Sequence, residues 1–102
     1  MAATARLDLT RVNRAVLGRF DDISRRWLPG GRFEGWEYVV RNPKRLDHNP
    51  GNFRINVRTG RWSDFATGDR GGDPISLTAY LFRLSQLEAA KRLAAMLGVD
   101  DG

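Results

Sequence analysis

Between Trp36 and Arg70 the chain sets Arg41, Lys44, Arg45, Arg54, Arg58, Arg61 and Arg70 among the rings of Trp36, Tyr38, Phe53, Trp62 and Phe65. Cations interleaved with aromatics suit a single-stranded nucleic acid. Guanidinium groups track phosphates, and a ring open to solvent stacks on a base for about 1–3 kcal/mol. Lys44 and Lys91 are the only lysines, so the cations are nearly all arginine, whose planar fork matches phosphate better than an ammonium does. The bland reading of the same residues is a core of rings beneath solvated arginines. Phe53 shares a strand face with Ile55 and Val57 and is assigned to the core, whereas for Trp36 and Trp62 the pattern allows core or surface. The residues expected to touch nucleic acid are Arg41, Lys44, Arg45, Arg54, Arg58, Arg61, Trp62 and Arg70, with the cations on phosphates and Trp62 on a base.

Two other groupings could carry chemistry, but their spacing does not require it. Asp47, Asp64, Asp69 and Asp73 offer carboxylates of the kind that hold magnesium, and His48 offers an imidazole base. Asp47 sits in a loop with proline and asparagine, and Asp73 is explained by helix capping, so a metal-dependent nuclease is the least supported reading. Asp69, Arg70, Gly71 and Gly72 precede a helix start, where free amides attract anions. No lysine with an adjacent serine or threonine follows these glycines, and Asp73 would place its own carboxylate on those amides, so turn geometry explains them. The chain has no cysteine, which excludes thiolate catalysis, disulfides and thiolate metal sites. No catalytic residue, cofactor or metal is expected.

These residues must be positioned by a single domain, because 102 residues can bury one core but not two. The charge balance is 17 basic against 12 acidic residues, a formal net charge of +5, and favours a polyanionic partner. No apolar run has the length of a signal peptide or a membrane span, so a soluble protein of the bacterial cytoplasm is expected, with no membrane partner.

Val12, Val16, Phe20, Ile23 and Trp27 recur at helical spacing and predict one amphipathic helix over residues 9–28, stopped by Pro29, Gly30 and Gly31. Trp36, Tyr38 and Val40 alternate with Glu37, Val39 and Arg41 as a strand. A loop follows, and then Phe53, Ile55 and Val57 alternate with Arg54, Asn56 and Arg58 as the clearest strand. Thr59 and Gly60 turn the chain back through Arg61 to Phe65, making a hairpin with one arginine-rich face. Asp73 then caps a helix whose first residue is Pro74. Ser85 and Glu88 form a capping box for a last helix that buries Leu87, Ala90, Leu93, Ala94 and Leu97 and stops at Gly98.

Residues 34–98 resemble the zinc-binding domain of bacterial primases and of phage and plasmid primase-helicases. The resemblance is carried by Gly71, Gly72 and Asp73, the apolar helix from Ile75 to Leu81, then Leu84, Ser85, Glu88 and Ala89 and the run to Leu97 and Gly98. That family places a cysteine, a proline and a histidine ahead of the hairpin and a cysteine pair beyond it, the three cysteines and the histidine holding zinc. Here Asn42 takes the cysteine's place and Arg45 the histidine's, while the second pair falls near Phe65 and Gly68, and none of these sets makes a tetrahedral zinc site. A hydrogen-bonded set drawn from Asn42, Arg45, Asp47 and Asp64 is the expected substitute.

The resemblance implies an α+β fold: a small antiparallel sheet of three to five strands, flanked by an N-terminal helix and two C-terminal helices, without zinc. It also implies a non-catalytic module that binds single-stranded template DNA within a primase or primase-helicase of a mobile element, beside the other domains of that replication protein. The alternative is a protein-interaction or structural module with little DNA affinity, which predicts apolar surface on the first helix.

Overall fold

The computed structural model describes residues 7–44 and 52–99. Its element order is α1 (Leu9–Leu17), α2 (Phe20–Trp27), β1 (Arg32–Glu34), β2 (Glu37–Val40), β3 (Phe53–Asn56), β4 (Trp62–Asp64), β5 (Arg70–Gly71), α3 (Pro74–Phe82) and α4 (Gln86–Leu97). The five strands form one antiparallel sheet in sequence order, β1-β2-β3-β4-β5, the α+β architecture expected.

The helix expected over 9–28 is two. Asp8 caps α1 by accepting from the Arg11 amide at 3.2 Å. At Gly18 and Arg19 the helical ladder breaks, and the Arg19 amide bonds instead to the Val16 carbonyl at 2.9 Å. Both helices keep their apolar stripe inward: Val12, Val16, Phe20 and Ile23 are buried, so the spacing survives a break that periodicity alone does not show. Asp21 and Asp22 open α2, and Arg25 and Arg26 close it, in the sense that its dipole favours.

The strand expected from Trp36 begins one residue later. Gly35 at φ 61° turns the chain, and Trp36 stands in the β1–β2 turn. Register then sorts the sheet into two faces. Tyr38, Val40, Phe53, Ile55 and Trp62 point into the core, where they meet Val12, Val16, Ile75, Leu77, Ala90 and Leu93 of the helices. The Tyr38 hydroxyl donates to the Leu28 carbonyl at 2.6 Å and accepts from the Gly31 amide at 3.1 Å, tying the segment after α2 to the sheet.

Helix α3 begins as its sequence dictates. Asp73 accepts from the Ser76 amide at 2.8 Å, Pro74 occupies the first turn, and Asn13 of α1 accepts from the Ile75 amide at 3.0 Å. The indole of Trp62 lies under β5 and donates to the Ser76 hydroxyl at 2.9 Å. A Cβ at Gly71 would strike that indole and Ser76, so this glycine is required by close approach. Ser85 and Glu88 complete their capping box on α4, and Gly98 closes the helix in the left-handed region.

Candidate nucleic-acid interface

Every second strand residue points away from the helices, which makes the outer face of the sheet polar apart from Val39, a buried residue in register with Arg32 and Arg54. Glu37, Arg54, Asn56, Ser63 and Arg70 share this face, and with Arg61 they border a shallow concavity of about 730 Å³. Arg54, at its centre, is held by two carboxylates: its Nη1 lies 3.1 Å from Glu34 Oε1 and 3.0 Å from Glu37 Oε1. Arg32 reaches the other oxygen of Glu34 at 2.7 Å. The hydrogen bond from Arg32, followed by that from Arg54, holds the Glu34 carboxyl below its ordinary range. The Glu37 hydrogen bond is the main reason the Arg54 guanidinium is held more firmly protonated.

Arg61 and Arg70 are exposed on the same concavity, and neither has an ion-pair partner among the described residues. At the β1–β2 end of the sheet Trp36 is 59% exposed, with the Arg58 guanidinium 5.4 Å from its ring centroid. Among the described residues the face therefore offers two guanidiniums without ion pairs, with an exposed indole at the sheet end, and strands of four residues make it roughly 13 Å long. That is room for two or three nucleotides of an extended strand.

Of the residues expected to touch nucleic acid, Arg54, Arg61, Trp62 and Arg70 line the concavity, and Arg58 stands over the Trp36 ring. Arg41 is exposed just past β2, at the end of the sheet away from Trp36. Lys44 is committed elsewhere: its ammonium donates to the Tyr80 carbonyl at 2.7 Å and sits 4.3 Å from that ring. Arg45, with Asp47 and His48, lies outside the described residues. Trp62 is 5% exposed and packs against Tyr80 at a centroid distance of 4.6 Å, so its ring face is closed to a base. The correction follows from register: Trp62 pairs with Ile55 and shares its inward face, whereas Trp36 sits in a turn and stays out. Glu34 and Glu37, which hold Arg54, carry no local signal in the sequence, because only the β1–β2 register, across a turn absent from the expected strand, sets them opposite each other.

Behind the sheet end lies a second polar cluster. Asn42 and Asp64 are 1% and 0% exposed, and the Asn42 amide donates to Asp64 Oδ2 at 2.8 Å and to the Tyr80 hydroxyl at 2.9 Å. Tyr80 in turn donates to Asp69 Oδ2 at 2.8 Å, and Asp64 Oδ1 accepts from the Ala66 amide at 2.9 Å. Burial, opposed by the Asn42 hydrogen bond and assisted by Asp69, raises the Tyr80 pKa above its ordinary value. Of the expected set of Asn42, Arg45, Asp47 and Asp64, the pair Asn42 and Asp64 is hydrogen-bonded together with Tyr80 and Asp69, which sequence did not supply, while Arg45 and Asp47 lie outside the described residues. Asp64, Asp69 and Asp73 are each engaged in these structural bonds, and no grouping of three or more potential metal ligands occurs among the described residues.

No family model matches the chain, and no curated protein matches it. Among solved structures it is similar to a crystal structure of the Aquifex aeolicus primase comprising the zinc-binding and RNA polymerase domains, with a TM-score of 0.75 and 24% identity. The match covers 90% of this chain and 22% of that one, so this chain spans about a fifth of the length of the chain it matches. Zinc does not fit the residues here: the chain has no cysteine, and Asn42 turns a donating amide, not a lone pair, toward Asp64 and Tyr80. The chain has the α+β fold of a primase zinc-binding domain.

Proposed function

We propose that this chain is a non-catalytic, primase-related module that binds single-stranded template DNA on the outer face of its sheet, within a DNA replication protein of a phage, plasmid or similar element. The convergence of Arg54, Arg61 and Arg70 on one solvent-facing concavity carries this reading. In this arrangement Arg61 and Arg70 meet phosphates, Arg58 supports Trp36, and Trp36 stacks on a base at the sheet end. The partial neutralisation of Arg54 by Glu34 and Glu37 moderates the positive field, which favours short, exchangeable contacts over tight wrapping.

Fluorescence anisotropy of a labelled single-stranded oligonucleotide at two salt concentrations, beside the matching duplex, tests the reading. Tighter binding to the single strand, weakening with salt, is the expected result. Equal or absent binding to both at low salt would overturn it.

A second reading, a docking module, has its own observation. Trp27, Phe82, Leu93 and Met96 line an apolar groove between α2, α3 and α4, with Phe82 48% and Met96 49% exposed. Trp27 falls within residues 9–28, the first helix of the docking alternative, and the rest of this surface lies on α3 and α4. Retained DNA binding after Phe82→Ser with Met96→Ser would separate the groove from the basic face.

A further inference from the structure

Strand pairing fixes β2 only to Val40 and β4 only to Asp64, which leaves residues 41–44 and 65–69 to be placed by other bonds. Both segments converge on Tyr80 near the end of α3. The Asn42 amide closes contacts over 22 residues to Asp64 and 38 residues to Tyr80, and the Lys44 ammonium closes one over 36 residues to the Tyr80 carbonyl. Contacts of that reach are what a structural metal ordinarily supplies in a small domain.

We propose that Asn42, Asp64, Tyr80, Asp69 and Lys44, with Asn42 and Asp64 buried at the centre of the set, form a metal-free cross-link that takes the place of structural zinc, so that the domain folds and stays folded without any divalent cation. Three features carry this. The hydrogen-bond ledger of Asn42 closes: both amide protons have acceptors, and its Oδ1 accepts from the Lys44 backbone amide at 2.9 Å. Flipping the amide would face an oxygen toward the Asp64 carboxylate, so the donor orientation is set by charge. A metal needs several lone pairs converging on one point, yet here Asp69 Oδ2 is taken by Tyr80 and Asp64 Oδ1 by Ala66. Finally, the Lys44 ammonium stands over the Tyr80 ring, where it would repel an arriving cation. Hydrogen bonds are directional as ligation is, so the set fixes the position of both segments as well as adhesion between them.

The proposal does not depend on DNA binding and is tested by stability. Thermal unfolding of the unaltered full chain would be followed in EDTA, in buffer alone and with equimolar zinc chloride, together with Asn42→Ala, Tyr80→Phe and the double variant. The expected result is a Tm unchanged by EDTA or zinc and a loss of about 5–10 °C in each single variant. The double variant should lose clearly less than the sum, since either change alone strands the other partner. A Tm raised by zinc or lowered by EDTA, or strictly additive losses, would overturn the proposal. Should the variants fail to fold, hydrogen exchange in the unaltered chain decides: protection of the Asn42 side-chain amide and the Ala66 amide at the level of the core supports it, and loop-like exchange overturns it.

Discussion

Asn42 and Asp64, 22 residues apart, meet through a 2.8 Å hydrogen bond in which both side chains are buried. The amide is matched to a carboxylate it cannot be exchanged for. Asn42→Asp would set two carboxylates against each other in a buried site and is expected to cost about 3–5 kcal/mol at neutral pH. Part of that loss should return in mild acid, because two carboxyls can then share one proton. Urea unfolding at pH 7 and pH 5 reads both effects, and a variant equally unstable at the two pH values would speak against the arrangement.

Tyr80 gives this cluster an alkaline limit. Its pKa is raised in the folded chain, chiefly by burial, so the folded state holds the phenolic proton more tightly than the unfolded one. That contribution is fully present below the ordinary tyrosine value of about 10 and is lost as pH rises from there through the folded value. Tyr80→Phe should therefore be less stable at pH 8 yet show a shallower decline between pH 10 and 11. Melting curves across that range check the sign.

Arg83 carries a stability cost of its own. It closes α3 in the left-handed region at φ 56°, the one non-glycine residue with positive φ among the described residues. Arg83→Gly is expected to stabilise the chain by about 0.5–1 kcal/mol, since glycine adopts this conformation without a Cβ clash. A Tm increase of a few degrees is the checking observation, and a decrease would mean that the Arg83 side chain makes contacts worth more than the strain.

The helix ends were the most legible part of the fold, because Asp73 with Pro74, Ser85 with Glu88, and Gly98 act through neighbours in sequence. The sheet was legible in its centre, where Phe53 and Ile55 alternate with Arg54 and Asn56. Its edges were not, since β1 and β5 have three and two residues, too few to show a period. At the candidate site the arginines were visible as types, but their pairing depended on register: Glu34 meets Arg54 across 20 residues. Lys44 and Trp62 illustrate the same limit. Each is engaged by Tyr80, a partner on α3 that no local pattern connects to them, Lys44 at the surface and Trp62 in the core.

Trp36 and Trp62 should therefore separate binding from folding. Trp36→Ala removes an exposed ring and is expected to weaken single-strand affinity by about 1–3 kcal/mol with little change in Tm. Trp62→Ala removes a core ring and its bond to Ser76, and should cost about 3–5 kcal/mol of stability. Anisotropy and thermal melts on the same two proteins give the comparison, and a Trp36→Ala variant with unchanged affinity would remove Trp36 from the binding face.

The carboxylates around Arg54 set the last expectation, because they act against an incoming phosphate twice. Glu34 and Glu37 occupy the Arg54 guanidinium and also repel anions across the concavity. Glu34→Gln with Glu37→Gln keeps shape and hydrogen-bonding capacity while removing two negative charges, so single-strand affinity should rise several-fold and the salt dependence steepen. Arg61→Ala and Arg70→Ala should do the reverse, each lowering the slope of log affinity against log salt by roughly 0.7. Titrations at three salt concentrations compare all of these variants. Tighter binding in the glutamine variant, with shallower slopes in the alanine variants, would place the phosphates on the outer face of the sheet. A glutamine variant that bound no better, beside alanine variants with unchanged slopes, would move the strand elsewhere on the surface.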